Sequence, residues 1–379
     1  MVRLALRSDS PPDLLGRLGA TAGALLAAGV VTLLGGLLFL APTMAEIVLL
    51  FGINAILVIG FQVFVGNTGI VSFGHVAFMA VGAYAGGIAA MPVLDKEVVL
   101  PDLPGALAGT EVGFLPALLV GGAAAALLAL LTGPALMRLS GAAASIATLG
   151  LLIIVSNVLA QATPLTRGPQ SLFGVPENTT FIGVYASLAV VVALSAWFKW
   201  SGAGLRARAV RDQPAAAEAA GVSVLRSRLW AFVLSAFITG VAGALYAQLL
   251  TAFSPGSFYI PQLVLVIAMA IVGGVGGISG ALLGTAVITV INEVLRKVES
   301  GVPIAGVEIH APSGISFAAL GVALILMLRW RPSGLLGASE VQVETRAPAP
   351  AEAGPARVAG AAVPPVATDR PPAEATVEE

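Results

Sequence analysis

Residues 45–91 read AEIVLLFGINAILVIGFQVFVGNTGIVSFGHVAFMAVGAYAGGIAAM. From Ala45 to Val65 the only charge is Glu46, near the start. A helix needs about 20 such residues to cross a hydrocarbon core of roughly 30 Å. A glycine-rich stretch, Gly66-Asn67-Thr68-Gly69-Ile70-Val71-Ser72-Phe73-Gly74-His75, then interrupts the apolar pattern before it resumes through Gly82-Ala83-Tyr84. The same ruler, applied outward in both directions, gives about ten candidate segments: 20–41, 45–65, 72–91, 113–137, 142–162, 180–198, 229–252, 260–276, 278–295 and 314–328. The expected fold is all-α, a polytopic transmembrane helical bundle with Gly-rich broken or closely packed helices.

Composition points the same way. Hydrophobic residues make up 58% of the 379 and charged residues 10%, with a mean hydropathy of +0.97. Soluble chains carry about 25% charged residues. A net charge of −1 offers no basic face for nucleic acid. With no cysteine, disulfides and thiolate metal sites are excluded, and no metal site is expected. Arg3, Arg7 and Arg17 precede an apolar run longer than the core of a cleaved signal, so 20–41 reads as a retained helix after a short segment, 1–19. From Pro332 the chain turns to Pro, Ala, Glu and Val without an apolar stripe, and 332–379 reads as a disordered tail.

Orientation follows from Lys and Arg in alternate loops. With the N-terminus inside, twelve fall in interior loops, Lys199, Arg206, Arg208, Arg211, Arg226 and Arg228 among them, and four outside: Lys96, Arg167, Arg296 and Lys297. Trp197, Trp200, Trp230 and Trp330 all lie at the same predicted cytoplasmic helix ends, where an indole keeps its N–H wet. Both termini are expected to be cytoplasmic.

Which chemistry can such a chain carry? The predicted spans hold only Glu46, Glu293 and His75 as acids or histidines, few groups for ion coupling. No lysine follows a glycine, so there is no P-loop, and any ATPase must be a separate subunit. The loop from Lys199 to Arg228 is the longest predicted on the cytoplasmic side. Within it Asp212-Gln213-Pro214 resembles a helix start with Asp212 as cap; Ala215 to Ala220, including Glu218, Ala219 and Ala220, favours helix; and Gly221 supplies a left-handed stop. A helix of about two turns is marginal alone and implies a partner surface, the alternative being a solvated basic linker.

A second glycine-rich stretch, Gly273-Gly274-Val275-Gly276-Gly277-Ile278-Ser279-Gly280, continues to Gly284. Glycines so spaced allow either close helix packing or broken helices whose free backbone groups line a path. The pathway candidates are therefore Gly66, Gly69, Ser72, Gly74, His75, Gly273, Gly274 and Gly277. His75 also reads as a structural histidine bonded within the bundle. The two stretches do not fall at equivalent places in a five-plus-five division, so no repeat is inferred.

Taken together, these segments resemble the branched-chain amino acid ABC transporter permease family, LivM type, over most of residues 45–337. Gly66 to His75 looks like the family's Gly-x-x-Gly-x-x-Ser-x-Gly-His block. Arg138-Leu139-Ser140-Gly141 with Ala147-Thr148-Leu149, then Thr166-Arg167-Gly168 with Gly174-Val175-Pro176, are similar to its next two signatures. Arg208 to Val222 matches its cytoplasmic loop, and Arg331-Pro332-Ser333-Gly334-Leu335-Leu336-Gly337 its terminus. The resemblance implies a non-enzymatic permease domain over 20–331, in a bacterial inner membrane, with 199–228 as a coupling loop. It implies four kinds of protein partner or site: a second, LivH-like permease; two cytoplasmic LivG/LivF-like ATPases that bind the ATP, this chain having no cofactor; an extracytoplasmic substrate-binding protein; and an ATPase-coupling set of Arg211, Asp212, Glu218, Ala219, Ala220 and Gly221. Membrane lipid is the remaining partner. Departures are Gln170 and Ser171, where many relatives carry an acid and a glycine, and the wholly apolar Leu151 to Val155, where many carry an acid. Relatives serving urea, short amides or aromatic acids keep the substrate open, and an ion-coupled carrier or a membrane scaffold remains the reading from another class.

Overall fold

A computed structural model describes residues 42–300, together with 4–7, 302–304, 307–309, 314–330, 334–335 and 340–343. The apolar runs form helices, because a helix satisfies its own backbone hydrogen bonds where no water is available. In chain order the helices are α1 (Pro42–Thr68), α2 (His75–Ala90), α3 (Val93–Val99), α4 (Gly105–Ala108), α5 (Phe114–Leu136), α6 (Gly141–Gln161) and α7 (Thr163–Thr166). They continue with α8 (Phe181–Trp200), α9 (Gly202–Asp212), α10 (Pro214–Ala219), α11 (Val224–Leu250), α12 (Ile260–Gly273), α13 (Ile278–Ser300) and α14 (Ile315–Trp330).

Seven segments among the described residues are long and apolar enough to cross a membrane: α1, α5, α6, α8, α11, α13, and Pro255–Gly273, in which a 3₁₀ turn leads into α12. The expected count of about ten is therefore not reached. Segment 20–41 lies outside the described residues, as does most of 1–19 and of 332–379. Segments 72–91 and 314–328 fold into helices of 16 residues each, α2 and α14. At 1.5 Å per residue such a helix rises about 24 Å, short of the roughly 30 Å of hydrocarbon. In the first case the difference is taken up by Gly69 to Gly74, which runs without helix.

The expected all-α bundle is what the chain forms; among the described residues, four short strands lie outside it. β1 (Leu4–Arg7) pairs antiparallel with β4 (Glu340–Val343), Leu4 opposite Val343, and β2 (Val302–Ile304) pairs with β3 (Val307–Ile309). At the expected start of the tail, Gly334 is buried and the Leu335 N–H donates to Val272 O at 2.9 Å.

Helix α11 is the centre of the bundle, packed against α2, α5 and α1, with the short helix α2 held between α11 and α5. Glycine makes this possible. A Cβ on Gly82 would sit 2.2 Å from the carbonyl oxygen of Gly240, and one on Gly243 2.0 Å from that of Met79, so α2 and α11 meet backbone to backbone. The crossing spans of α1 and α11 are 72% and 67% buried, whereas those of α5 and α6 are 33% and 28% buried. α5 and α6 therefore present apolar side chains outward, among them Leu131, Ile146 and Ile154. Between α2 and α5 the chain folds back through α3 and α4, pinned by Lys96. Its side chain is wholly buried and its ammonium donates to the carbonyls of Leu107, at 3.2 Å, and Thr110. Burial lowers the pKa of this ammonium, and nearby Glu111 partly restores it.

Backbone contact of this kind tolerates no side chain. Gly243→Leu and Gly82→Leu are expected to abolish the monodisperse folded species in detergent, while Gly150→Leu, on α6 with nothing within 4 Å of its Cβ position, leaves it intact. Fluorescence-detected size exclusion of the three variants checks this.

Candidate functional site

The first break begins where α1 runs out of helix formers. Asn67 and Thr68 turn their side chains back on the carbonyls of Val63 and Phe64, each at 2.8 Å, and Gly69, at φ +70°, donates its N–H to Val65 O. This is the left-handed stop that glycine adopts without strain. The chain then crosses to α6, which supplies the missing partners. Thr148 Oγ1 accepts from the Phe73 N–H at 3.0 Å, and Ser145 Oγ donates to Val71 O at 2.7 Å.

His75 closes the break from the other side. Its Nδ1 lies 3.0 Å from Ser72 Oγ and its Nε2 2.9 Å from Ser235 Oγ. The Ser235 hydroxyl donates to Phe232 O, so it accepts from Nε2–H, which leaves Nδ1 to accept from Ser72. Phe61, Phe64, Phe78 and Phe232 surround the ring at centroid distances of 5.2–6.3 Å. Of the two roles open to His75, this geometry fits the structural one. Ser72 and Gly74 belong to the same staple, since Gly74 N–H bonds Ser72 Oγ and a Cβ on Gly74 would lie 3.1 Å from Thr148 O.

The second break separates α12 from α13. Gly273 is a packing glycine, where a Cβ would fall 1.9 Å from Gly280 O, and Gly284 is held as tightly against Met269. Gly277 O accepts from Ala281 N–H at the start of α13. Gly274, at φ +103°, turns the chain and exposes its carbonyl to Gln62 Nε2 of α1 at 2.9 Å. The first break stands opposite: a Cβ on Gly66 would lie 3.3 Å from Val275 O.

The basic loop after α8 reaches both breaks. Arg211, on α9, donates from Nη1 to Gly66 O at 2.7 Å, pairs with Asp212 at 3.0 Å, and packs its stem where a Gly69 Cβ would go. Lys199 Nζ donates to Gly276 O at 3.3 Å, and Arg208 Nη2 to Lys199 O at 2.7 Å. Of the residues singled out from sequence, Gly66, Gly69, Gly274, Arg211 and Asp212 thus come together. Glu218 and Ala219 on α10, with Ala220 and Gly221 in the turn that ends it, stand apart and exposed.

The loop differs from its sequence reading in two respects. Asp212 does not cap α10: Gln213 holds the N-cap position, and Asp212 ends α9, an eleven-residue helix not foreseen. Gly221 is the expected stop, at φ +80°. Its N–H bonds Glu218 O and that of Val222 bonds Ala217 O, both 2.9 Å, the paired closure of a Schellman motif.

Two cavities share the seam between α1 and α13. One, of about 100 Å³, lies beside the breaks and is lined by Gln62, Val63 and Gly66 together with Ser195, Lys199, Arg208, Arg211 and Ile278. The other, of about 160 Å³, lies at the far end of α1, among Glu46, Leu50, Asn54, Thr289, Asn292 and Glu293, the last paired with Arg296 at 3.0 Å. Leu50, Asn54, Val58, Gln62 and Gly66 follow one another at four-residue spacing, a row that winds slowly round α1 from one cavity to the other. Between the positions that line the two cavities stand Val58 on α1 and Leu282 and Thr285 on α13, all buried. The seam is closed at its middle. Gln62 and Ser195 were missed from sequence, although a lone glutamine inside an apolar run is a signal.

His75→Ala removes two hydrogen bonds and a buried ring, a loss of about 2–4 kcal/mol. The expected result is a large fall in thermal midpoint in detergent, with Ser72→Ala intermediate.

Among similar proteins is the high-affinity branched-chain amino acid transport system permease protein LivM of Escherichia coli (strain K12), 27% identical over 328 residues, or 78% of this chain and 70% of that protein. LivH of Salmonella typhimurium, described as a permease protein of the same kind of system, is 24% identical over 302 residues, 76% of this chain and 92% of that one. The nucleoside ABC transporter permease protein NupC of Lactococcus lactis subsp. cremoris is 43% identical over 63 residues, 16% of this chain and 20% of its own. No solved structure matches. Residues 43–328 match the family described as branched-chain amino acid transport system / permease component, and the chain belongs to that family.

Proposed function

We propose that this chain is the membrane-spanning permease subunit of an ATP-driven importer of branched-chain amino acids in a bacterial inner membrane, both termini cytoplasmic. A LivH-like second permease would complete the pathway, two LivG/LivF-like ATPases would bind and hydrolyse the ATP, and an extracytoplasmic protein would deliver substrate. The observation that carries this reading is the Arg211–Gly66 bond, because it ties the basic loop to a helix break beside a closed seam. A force applied to α9 and α10 from the cytoplasm reaches the pathway through that contact. Among the described residues, the cavity at the far end of the seam is the counterpart opening toward the delivered substrate.

The short match to a nucleoside permease favours a second substrate class. The two readings separate in vesicles holding the whole transporter, its binding protein and ATP. Accumulation of leucine but not of a nucleoside is expected; the reverse would move the substrate assignment.

Coupling is tested on α10. Glu218 is exposed there, and reversing its charge turns attraction to a basic partner into repulsion worth several kcal/mol. Gly221→Pro removes an N–H that closes the Schellman motif and forbids positive φ. Both variants are expected to insert normally, to copurify with less ATPase, and to lose stimulation of hydrolysis by loaded binding protein. Wild-type stimulation in both would leave the loop as a basic linker only.

A further inference from the structure

The loop between α8 and α11 carries more arginine than its contacts with the bundle use. Arg211 and Arg208 donate to Gly66 O and Lys199 O, and Arg228 is buried, its Nη1 donating to Leu139 O at 3.1 Å beyond the end of α5. Arg206 on α9 and Arg226 on α11 are both exposed, and neither forms an ion pair among the described residues. Arg206 uses only its Nε, on Gly202 O at 2.9 Å.

These two guanidinium side chains line one cavity, of about 320 Å³, together with the turn at Gly221 and with Ser223, Ser227 and Trp230. Ser223, Arg226, Ser227 and Trp230 follow the three- and four-residue spacing of a helix face. The start of α11 therefore presents two hydroxyls, a guanidinium and an indole in a row. Ser223 Oγ accepts from the Arg226 N–H at 3.4 Å, which leaves its O–H to donate, while Ser227 Oγ donates to Ser223 O at 2.8 Å. The cap of the helix is thus made within the chain, and the cavity's positive character comes from side chains on two separate helices.

Trp230 sets the depth. It lies within the second turn of Val224–Leu250, a segment long and apolar enough to cross a membrane, yet it is 65% exposed. Trp197, in the last turn of α8, which α9 and α10 connect to the start of α11, is 67% exposed. Indoles so placed lie at the level of lipid headgroups, with the ring in apolar surroundings and the N–H wet. The guanidinium fork matches phosphate oxygens.

We propose that this cavity binds the phosphodiester headgroup of an anionic phospholipid of the cytoplasmic leaflet. Arg206 and Arg226 hold the phosphate oxygens, the Ser223 O–H donates to the same group, and Trp230 packs on the glycerol backbone. Basic pockets at the cytoplasmic face of membrane helices recognise such headgroups. The leaflet follows from the cytoplasmic placement of this loop proposed above, whereas binding itself does not depend on transport. Because the two arginines stand on different helices, the bound headgroup ties α9 to α11, beside the turn that ends α10.

Native mass spectrometry of the full-length chain in detergent, with the subunits that copurify, tests this. Phosphatidylglycerol is titrated against phosphatidylcholine of the same acyl chains, with inorganic phosphate as a competitor. The wild type is expected to retain phosphatidylglycerol about tenfold or more over phosphatidylcholine, and Arg206→Gln combined with Arg226→Gln to lose that preference. Arg138→Gln, an exposed arginine in the turn after α5 and outside the cavity, should keep it. Trp230→Ala should weaken retention of phosphatidylglycerol, and gives a second reading should the double variant fail to fold. Equal retention of the two lipids by the wild type, or an unchanged preference in the double variant, would overturn the assignment. Displacement of the lipid by millimolar inorganic phosphate would make this a free-phosphate site, and its loss whenever an ATPase is bound would make it a protein-docking surface; either overturns it too. A chain that fails the uptake assay yet keeps the preference loses only the importer reading.

Discussion

Every backbone N–H and C=O that is buried where a helix stops must find another partner, and in this protein two breaks create that demand. An unsatisfied group there costs several kcal/mol, so the partners are structural requirements. At the first break they come from Thr148 and Ser145 of α6; at the second, from Gln62 and Lys199. Gly66 O takes its own from Arg211. These partners belong to α1, α6, α8 and α9, so satisfying two short stretches of chain fixes how four helices lie.

The two kinds of contact around the breaks have different mechanical properties. Between α2 and α11, and between α12 and α13, backbone touches backbone at glycine, and displacement brings atoms into overlap at once. Such pairs move as units. Along the seam of α1 with α13 and α9, long side chains span the gap. A hydrogen bond from a charged group nets about 1.5–3 kcal/mol, and it can be exchanged for a similar one elsewhere. Any cycle driven from outside the bundle therefore has its adjustable contacts at the seam. The glycine-paired helices carry the load.

Much of this was legible in the sequence, and the limits have physical causes. Long apolar runs announce themselves because a span must be continuous, and α1, α5, α6, α8 and α11 fall within a few residues of expectation. Helix α2 was overestimated because Ser72 and Phe73 are as compatible with an apolar run as with an irregular approach to one. Helix α9 was overlooked because Gly202-Ala203-Gly204 is a poor start by propensity. What stabilises it is the Ser201 cap on Gly204 N–H and the burial of Ala207 and Val210, the second of which is tertiary. Asp212 was misplaced as a cap for the same reason: with α9 extending to meet it, Gln213 takes the turn. At the site, spacing identified both breaks but not their meeting, since Gln62 and Gly274 lie 212 residues apart.

The glycines show why motif and site are different things. Gly66, Gly74, Gly273 and Gly274 look alike in sequence, and all occupy breaks. What separates them is the fate of the neighbouring carbonyl. Beside Gly74 and Gly273, as beside Gly66, a close oxygen belongs to another backbone, and at Gly74 and Gly273 the missing Cβ is what allows that approach. At Gly66 and Gly274 the residue's own carbonyl accepts from Arg211 or Gln62, side chains that also line a cavity. A carbonyl already accepting from a flexible donor keeps a second lone pair and can release the first. These two positions, and not the motif as a whole, combine an accessible polar backbone with a partner that can move away.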